Sequence, residues 1–241
     1  MSRIENEIEH GKFLASKGAE SVWNWDSPAG RRRANRRAEL LVNFGKISKE
    51  NKILEIGCGT GLFTGKIMEL SGSKDVIAID ISPELLELAQ KNHPDAVFKL
   101  GDAMNLDFND NSFDVVFGSS VLHHLDMEKT CKELLRVLKP AGRLVFAEPN
   151  MINPQIAIQK NIPFIKKMLG DSPDETAINR WSFDKMLQRI GYKNINIIPY
   201  DFLHPITPNF LIPVVEGLGK VIEKIPVFRE IAGSVIIVAT K

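Results

Sequence analysis

In the central part of the chain, apolar residues come in short unbroken runs, and between those runs they recur at helical spacing. Lys52-Ile53-Leu54-Glu55-Ile56, Val76-Ile77-Ala78-Ile79-Asp80, Phe113-Asp114-Val115-Val116-Phe117 and Arg143-Leu144-Val145-Phe146-Ala147 each have the length and composition of a buried strand. After the second run, Ser82 precedes Pro83 and Glu84, the signature of a capped helix start. Cys131, Leu134, Leu135 and Leu138 share one helical face, and Lys139-Pro140 with Gly142 stops that helix. Strands without polar alternation, separated by amphipathic helices, predict an α/β fold with a parallel sheet covered on both faces. Asn194–Ile198 and Ser234–Ala239 add two strands at the far edge, and a helix capped by Ser182 and ended at Gly191 lies before them.

The flanks differ in texture. Residues 1–50 are polar and rich in arginine, and Arg31-Arg32-Arg33-Ala34-Asn35-Arg36-Arg37 predicts a helix whose apolar side is Ala34, Ala38, Leu41 and Val42. Trp23-Asn24-Trp25 lies just upstream. Residues 149–241 hold proline-spaced segments: 150–181 with Pro154, Pro163, Pro173 and the patch Ile162–Leu169, and 200–213 with His204 and Phe210. Such segments roof apolar pockets.

Composition narrows the class. The 241 residues are 44% hydrophobic and 25% charged, ordinary values for one globular domain. With 31 basic and 30 acidic residues the net charge is +1, which argues against a wide nucleic-acid grip. Cys58 and Cys131 are the only cysteines, so neither a disulfide framework nor a cysteine-based zinc site is available, and no metal is expected. The start MSRIENEIEHGKF lacks an apolar signal-peptide core and no spanning run follows, so a cytoplasmic protein is expected.

The first strand runs into Glu55-Ile56-Gly57-Cys58-Gly59-Thr60-Gly61, three glycines at alternate positions before a helix. Glycine permits a tight turn and close approach of a ligand to the backbone, and the amides of the following helix face that ligand. A dinucleotide fingerprint counted from Gly57 needs glycine at position 62, which is Leu62; a P-loop needs a Lys-Ser/Thr pair, which is missing. Asp80, 23 residues beyond Gly57 at a strand end, suits the two hydroxyls of a ribose.

With these features the chain resembles a class I S-adenosylmethionine-dependent methyltransferase of the small-molecule group. The resemblance rests on Glu55–Gly61, Asp80-Ile81, Gly101-Asp102-Ala103-Met104, Phe113–Leu125 and Leu134–Leu144, in that order over about residues 50–148. It implies a doubly wound, Rossmann-like sheet of seven mostly parallel strands with an antiparallel last strand at Val235–Val238, and S-adenosylmethionine as cofactor, leaving S-adenosylhomocysteine. It implies that Gly57, Cys58, Gly59 and Gly61 meet the methionine end, Asp80 the ribose, Ile81 the adenine face, Asp102 with Ala103 the adenine amino group, and Ser119 the sulfonium. Glu55 either contacts the ligand or orients the loop. The resemblance further divides one methyltransferase domain into a helical lid at 1–50, a cofactor core at 51–148 and acceptor-side segments at 149–241.

Trp25 and Arg36 are the lid residues expected at the cofactor, the arginine on its carboxylate or on an anionic substrate, against a solvated basic face as the alternative. His123 and His204 are the candidate general bases, because histidine titrates near neutrality; packing or local bonding is the rival role. The rival functions are RNA or DNA base methylation, weakened by Phe117-Gly118-Ser119-Ser120 where an Asn/Asp-Pro-Pro-aromatic motif belongs, and a non-catalytic binding module. A small-molecule acceptor and a monomer or homodimer are expected, and the apolar stretch Phe210–Ile222 leaves peripheral membrane contact open.

Overall fold

The computed structural model describes residues 3–168, 171–172 and 175–241; Leu169 and Pro173 lie outside the described residues. In chain order the elements are α1 (Arg3–Lys17), α2 (Ala19–Val22), α3 (Pro28–Gly45), β1 (Ile53–Ile56), α4 (Leu62–Ser71), β2 (Val76–Asp80), α5 (Pro83–Asn92), β3 (Val97–Leu100) and β4 (Phe113–Ser119). There follow α6 (Met127–Val137), β5 (Leu138–Pro149), α7 (Pro154–Asn161), α8 (Pro163–Met168), α9 (Arg180–Ile190), β6 (Lys193–Tyr200), α10 (Ile212–Ile222), α11 (Pro226–Arg229) and β7 (Ser234–Thr240). Short 3-10 turns lie at Leu122–His124 and Asn209–Leu211.

The strands form one seven-stranded sheet in the order β3-β2-β1-β4-β5-β7-β6. Pairs from β3 through β5 are parallel, and β7 runs antiparallel to both β5 and β6. The order reverses direction between β1 and β4, the switch point where open α/β sheets bind ligands. All four residues of β1 are buried, and alternation sends them to opposite faces. Leu54 and Ile56 join Phe113, Val116, Leu134 and Phe146 on one side; Ile53 joins Leu41, Ile67 and Phe117 on the other.

β3 is a strand that apolar runs do not reveal: it is the sheet's edge, with Val97 47% and Leu100 65% exposed, so no unbroken core run marks it. The helix expected to be capped by Ser182 starts earlier. Asn179 is its cap, its side-chain oxygen accepting from the Trp181 and Ser182 amides at 3.2 and 3.3 Å. Ser82 caps α5 as expected, accepting from the Leu85 amide.

The N-terminal helices bind unequally. α3 joins the main core through Ala34, Ala38 and Leu41. α1 is held by a small cluster in which Leu14, Ala19 and Leu85 are the buried residues, and Gly18 at its end has φ +81° with open space around it.

Candidate active site

A cleft of about 560 Å³ opens over the carboxyl ends of β1, β2 and β4, a size suited to a small molecule or cofactor. Its floor is the loop from β1 to α4. Gly57 has φ +63°, and a Cβ there would lie 2.2 Å from Val121; Gly59 has φ +54°, with the Trp23 ring 3.1 Å from its would-be Cβ. Backbone and ring thus approach where side chains would collide. The Gly59 amide donates to Asp80 Oδ2 at 2.8 Å and the Ser82 amide to Asp80 Oδ1 at 2.9 Å. Burial raises the Asp80 carboxyl above its ordinary value against these hydrogen bonds. Each oxygen keeps a further lone pair for a ligand.

Ile81, Asp102, Ala103, Cys58 and Ser119 also line the cleft. Asp102 Oδ1 accepts from the Met104 amide at 2.8 Å, which fixes its loop after β3. Ser120, at φ +56°, is a strained non-glycine residue beside Ser119 at the end of β4. Trp25 lines the cleft edge-on to Phe63, with ring centroids 5.6 Å apart. Gly30, in the first turn of α3, brings helix and aromatic segment together: a Cβ there would lie 1.8 Å from the Asn24 carbonyl oxygen.

Three expected residues lie elsewhere. Gly61 caps α4 and turns toward His93 and Phe98, away from the cleft lining. Arg36 points to the opposite side of α3, bonded to Glu223 at 2.8 and 2.5 Å and resting over Tyr200. Its neighbour Arg37 is the buried arginine, 3% exposed and also behind the cleft lining. Arg37 donates to the hydroxyls of Ser119 (3.0 Å), Ser120 (2.7 Å) and Ser234 (3.1 Å), and its guanidinium stands 5.0 Å from the Trp25 ring centroid. No carboxylate among the described residues pairs with it. The missed signal was helical register: Arg37 lies three residues after Ala34 and four before Leu41, on the stripe that faces the core.

Glu55 is likewise outside the cleft lining, buried under α4, where the Thr64 hydroxyl donates to it at 2.5 Å. Burial, opposed by that hydrogen bond, pushes its carboxyl up to about 8. The folded chain therefore holds a proton that the unfolded chain releases between the ordinary carboxylate range and that value. Stability is full below that range and falls as pH rises toward 8, by at most about 1.4 kcal/mol per pH unit. Melting temperatures from about pH 5 to pH 9 should fall less steeply in Glu55→Gln than in the unmodified chain.

The opposite wall is ionic. His123, 5% exposed, has Nδ1 2.6 Å from Glu148 Oε2 and Nε2 3.4 Å from Glu175 Oε1. Burial alone would lower its ring, but hydrogen bonds and charge from Glu148 and Glu175 outweigh it and hold the ring at about 9. His123 is therefore an imidazolium at neutral pH rather than a free base. His204 also lines the cleft, and burial lowers its pKa below the ordinary histidine value. Its Nδ1 accepts from the Ile206 amide at 3.3 Å and its Nε2 faces Gln155 at 3.0 Å. Glu148, Glu175 and Glu7, which complete this wall, carry no local sequence signal: they meet the histidines only through the fold.

A glycine-floored crevice at the switch point of a seven-stranded sheet with an antiparallel seventh strand defines the class I methyltransferase architecture. A methyltransferase-domain family model matches residues 54–146. The demethylmenaquinone methyltransferase of Chlorobaculum tepidum is 32% identical over 173 residues, 64% of this chain and 70% of that protein. An uncharacterized methyltransferase-like protein of Schizosaccharomyces pombe is 29% identical over 161 residues, 67% of this chain and 61% of that one. Among solved structures, a SAM-dependent methyltransferase of Thermotoga maritima, described as a possible histamine N-methyltransferase, superposes with TM-score 0.68 over 96% of this chain and 97% of its own, at 19% identity. The chain belongs to the S-adenosylmethionine-dependent methyltransferases, and S-adenosylmethionine is its cofactor. The cleft fits that cofactor: Gly57, Cys58 and Gly59 line its floor, and a carboxylate with spare lone pairs ends β2.

Proposed function

We propose that this chain, read as one methyltransferase domain, transfers a methyl group to a small-molecule acceptor bound beside the cofactor in the same cleft. The observation that carries the reading is the continuity of that cleft from the glycine loop and Asp80, under Trp23 and Trp25, to the ionic wall of His123 and Glu175. Bound S-adenosylmethionine supplies a methyl group on a positively charged sulfur, already activated for in-line displacement. Asp80 accepts hydrogen bonds from the ribose hydroxyls, Asp102 from the adenine amino group, and Ile81 with Ala103 flanks the adenine ring. Gly57, Cys58 and Gly59 offer backbone at close range, with the Gly59 amide already given to Asp80. Ser119 stands at the end of β4, beside the reacting centre. The carboxylate role expected of Arg36 is not taken directly by Arg37, which lies outside the cleft lining too; Arg37 acts from behind it, holding the hydroxyls of Ser119 and Ser120, which do line the cleft.

The protein's own contribution is alignment and exclusion of water, with the tryptophans covering the cleft. Both ring nitrogens of each candidate histidine already face a partner, so the reading favours an acceptor that attacks without first losing a proton to them. Calorimetric titration with S-adenosylmethionine should show one site per chain, and labelled methyl transfer into a panel of amines, phenols and quinone precursors should find the acceptor. Absence of cofactor binding at tens of micromolar would overturn the reading.

The mouth of the cleft favours an apolar acceptor. Ile206 lines the cleft yet is 74% exposed, and Phe210 (79%), Val227 (77%) and Phe228 (55%) lie on the segments that follow. No helix among the described residues is long and apolar enough to cross a membrane. We read this face as a surface that takes the acceptor from lipid; co-sedimentation with anionic vesicles supports it, and recovery of all protein in the supernatant removes it.

A further inference from the structure

The ionic wall of the cleft is built like a metal site. Glu148 is fully buried; its Oε1 accepts from the Val121 and Leu122 amides at 2.9 Å each, and its Oε2 holds His123 Nδ1 at 2.6 Å. A carboxylate on one ring nitrogen fixes the tautomer and aims the other nitrogen outward, the arrangement found behind metal-bound imidazoles. The outward nitrogen, His123 Nε2, meets Glu175 Oε1 at 3.4 Å. Two ligand atoms bound tetrahedrally to one ion at about 2.1 Å stand about 3.4 Å apart.

His124 completes the set. Its ring centroid is 4.2 Å from that of His123, and its Nδ1 is buried without a directed hydrogen bond, 3.1 Å from Glu7 Oε2. One ligand atom from each of His123, His124 and Glu175 lies within 4.8 Å of the others. Charge points the same way. Among the described residues, Glu148 pairs with His123 and Glu7 with His124, while Lys160 bridges Asp171 and Glu175 and Lys166 donates to the Glu175 carbonyl, so four carboxylates face two lysines around the two rings. Lys160 stays 2.9 Å from Asp171, so it keeps a partner when Glu175 turns to an ion.

We propose that His123, His124 and Glu175 bind one divalent transition-metal ion, zinc or manganese by their nitrogen and oxygen donors, with Glu7 at hand as a fourth ligand and Glu148 as the positioning residue behind His123. That the ion then holds an acceptor oxygen in the cleft, doing the work a free base would do, rests on the methyl-transfer reading; its binding does not.

The test is calorimetric titration of the chelator-dialysed full chain with zinc chloride and with manganese chloride, cofactor affinity being measured on the same sample. One ion should bind per chain, and His124→Ala and Glu175→Gln should each weaken it by about 30-fold or more, since second-shell changes alone cost 10- to 100-fold. His93→Ala, remote from the cluster, should leave it unchanged. His123 is avoided because removing a buried ring between two carboxylates endangers the fold. Cofactor binding without saturable metal binding overturns this proposal alone, as does metal binding that both variants retain. Loss of cofactor binding as well would strike the methyl-transfer reading too.

Discussion

Arg37→Met should lower the affinity for S-adenosylmethionine by about 30-fold or more, while Arg36→Met changes it by less than about threefold. The two residues are neighbours in sequence, but one helical step separates their surroundings. Arg36 spends its guanidinium on Glu223, at the half-exposed side of α3. Arg37 is buried beneath Trp25 and ties together hydroxyls from the end of β4 and the start of β7. Hydrogen bonds to charged groups contribute about 1.5–3 kcal/mol each, so three of them hold this corner of the cleft firmly. The methionine variant keeps most of the packing volume and isolates the charge. Calorimetry of both variants, with melting temperatures alongside, separates the outcomes: equal affinities would end the positioning role of Arg37 behind Ser119 and Ser120.

Asp80→Ala should be the most damaging change to the cleft floor, and Asp80→Asn should be intermediate. The carboxylate has two duties. Inward, it takes the Gly59 and Ser82 amides and so pins the glycine loop to the start of α5. Outward, on the present reading, it takes the ribose hydroxyls. Alanine leaves two amides unpaired at about 1–3 kcal/mol each and removes the ligand contact too. Asparagine keeps one acceptor oxygen, which restores part of the inner duty. Cofactor affinity should fall by about 100-fold or more in Asp80→Ala, with a lower melting temperature, and by less in Asp80→Asn. Unchanged affinity in both would contradict the placement of the ribose.

Much of the sheet was legible because buried parallel strands carry unbroken apolar runs; β1, β2, β4 and β5 announce themselves in this way. β3 does not, since an edge strand buries too little to need such a run. The seven-strand topology came from family resemblance rather than from periodicity. At the site, the glycine loop and Asp80 could be found because local backbone geometry and strand ends constrain residue type. Arg37 was equally findable, had the buried stripe of α3 been followed through its charged member. Glu55, open in the sequence between ligand contact and orienting the loop, is turned inward to Thr64 by the fold. Glu148 and Glu175 reach His123 from 25 and 52 positions away, and no one-dimensional pattern encodes that meeting.

The contact at Gly30 has a kinetic consequence. Because the Asn24 carbonyl occupies the space of a missing side chain on α3, the tryptophan segment and the arginine helix travel as one body. That body is anchored in the main core, so it makes a poor door. α1 is the better one: it carries Glu7 and His10 into the cleft wall, adds only Leu14 to a small cluster with Ala19 and Leu85, and ends at Gly18, φ +81°. Exchange of spent cofactor should therefore be paced by the swing of one 15-residue helix, with Trp23 loosened beside it and Trp25 seated on the main core.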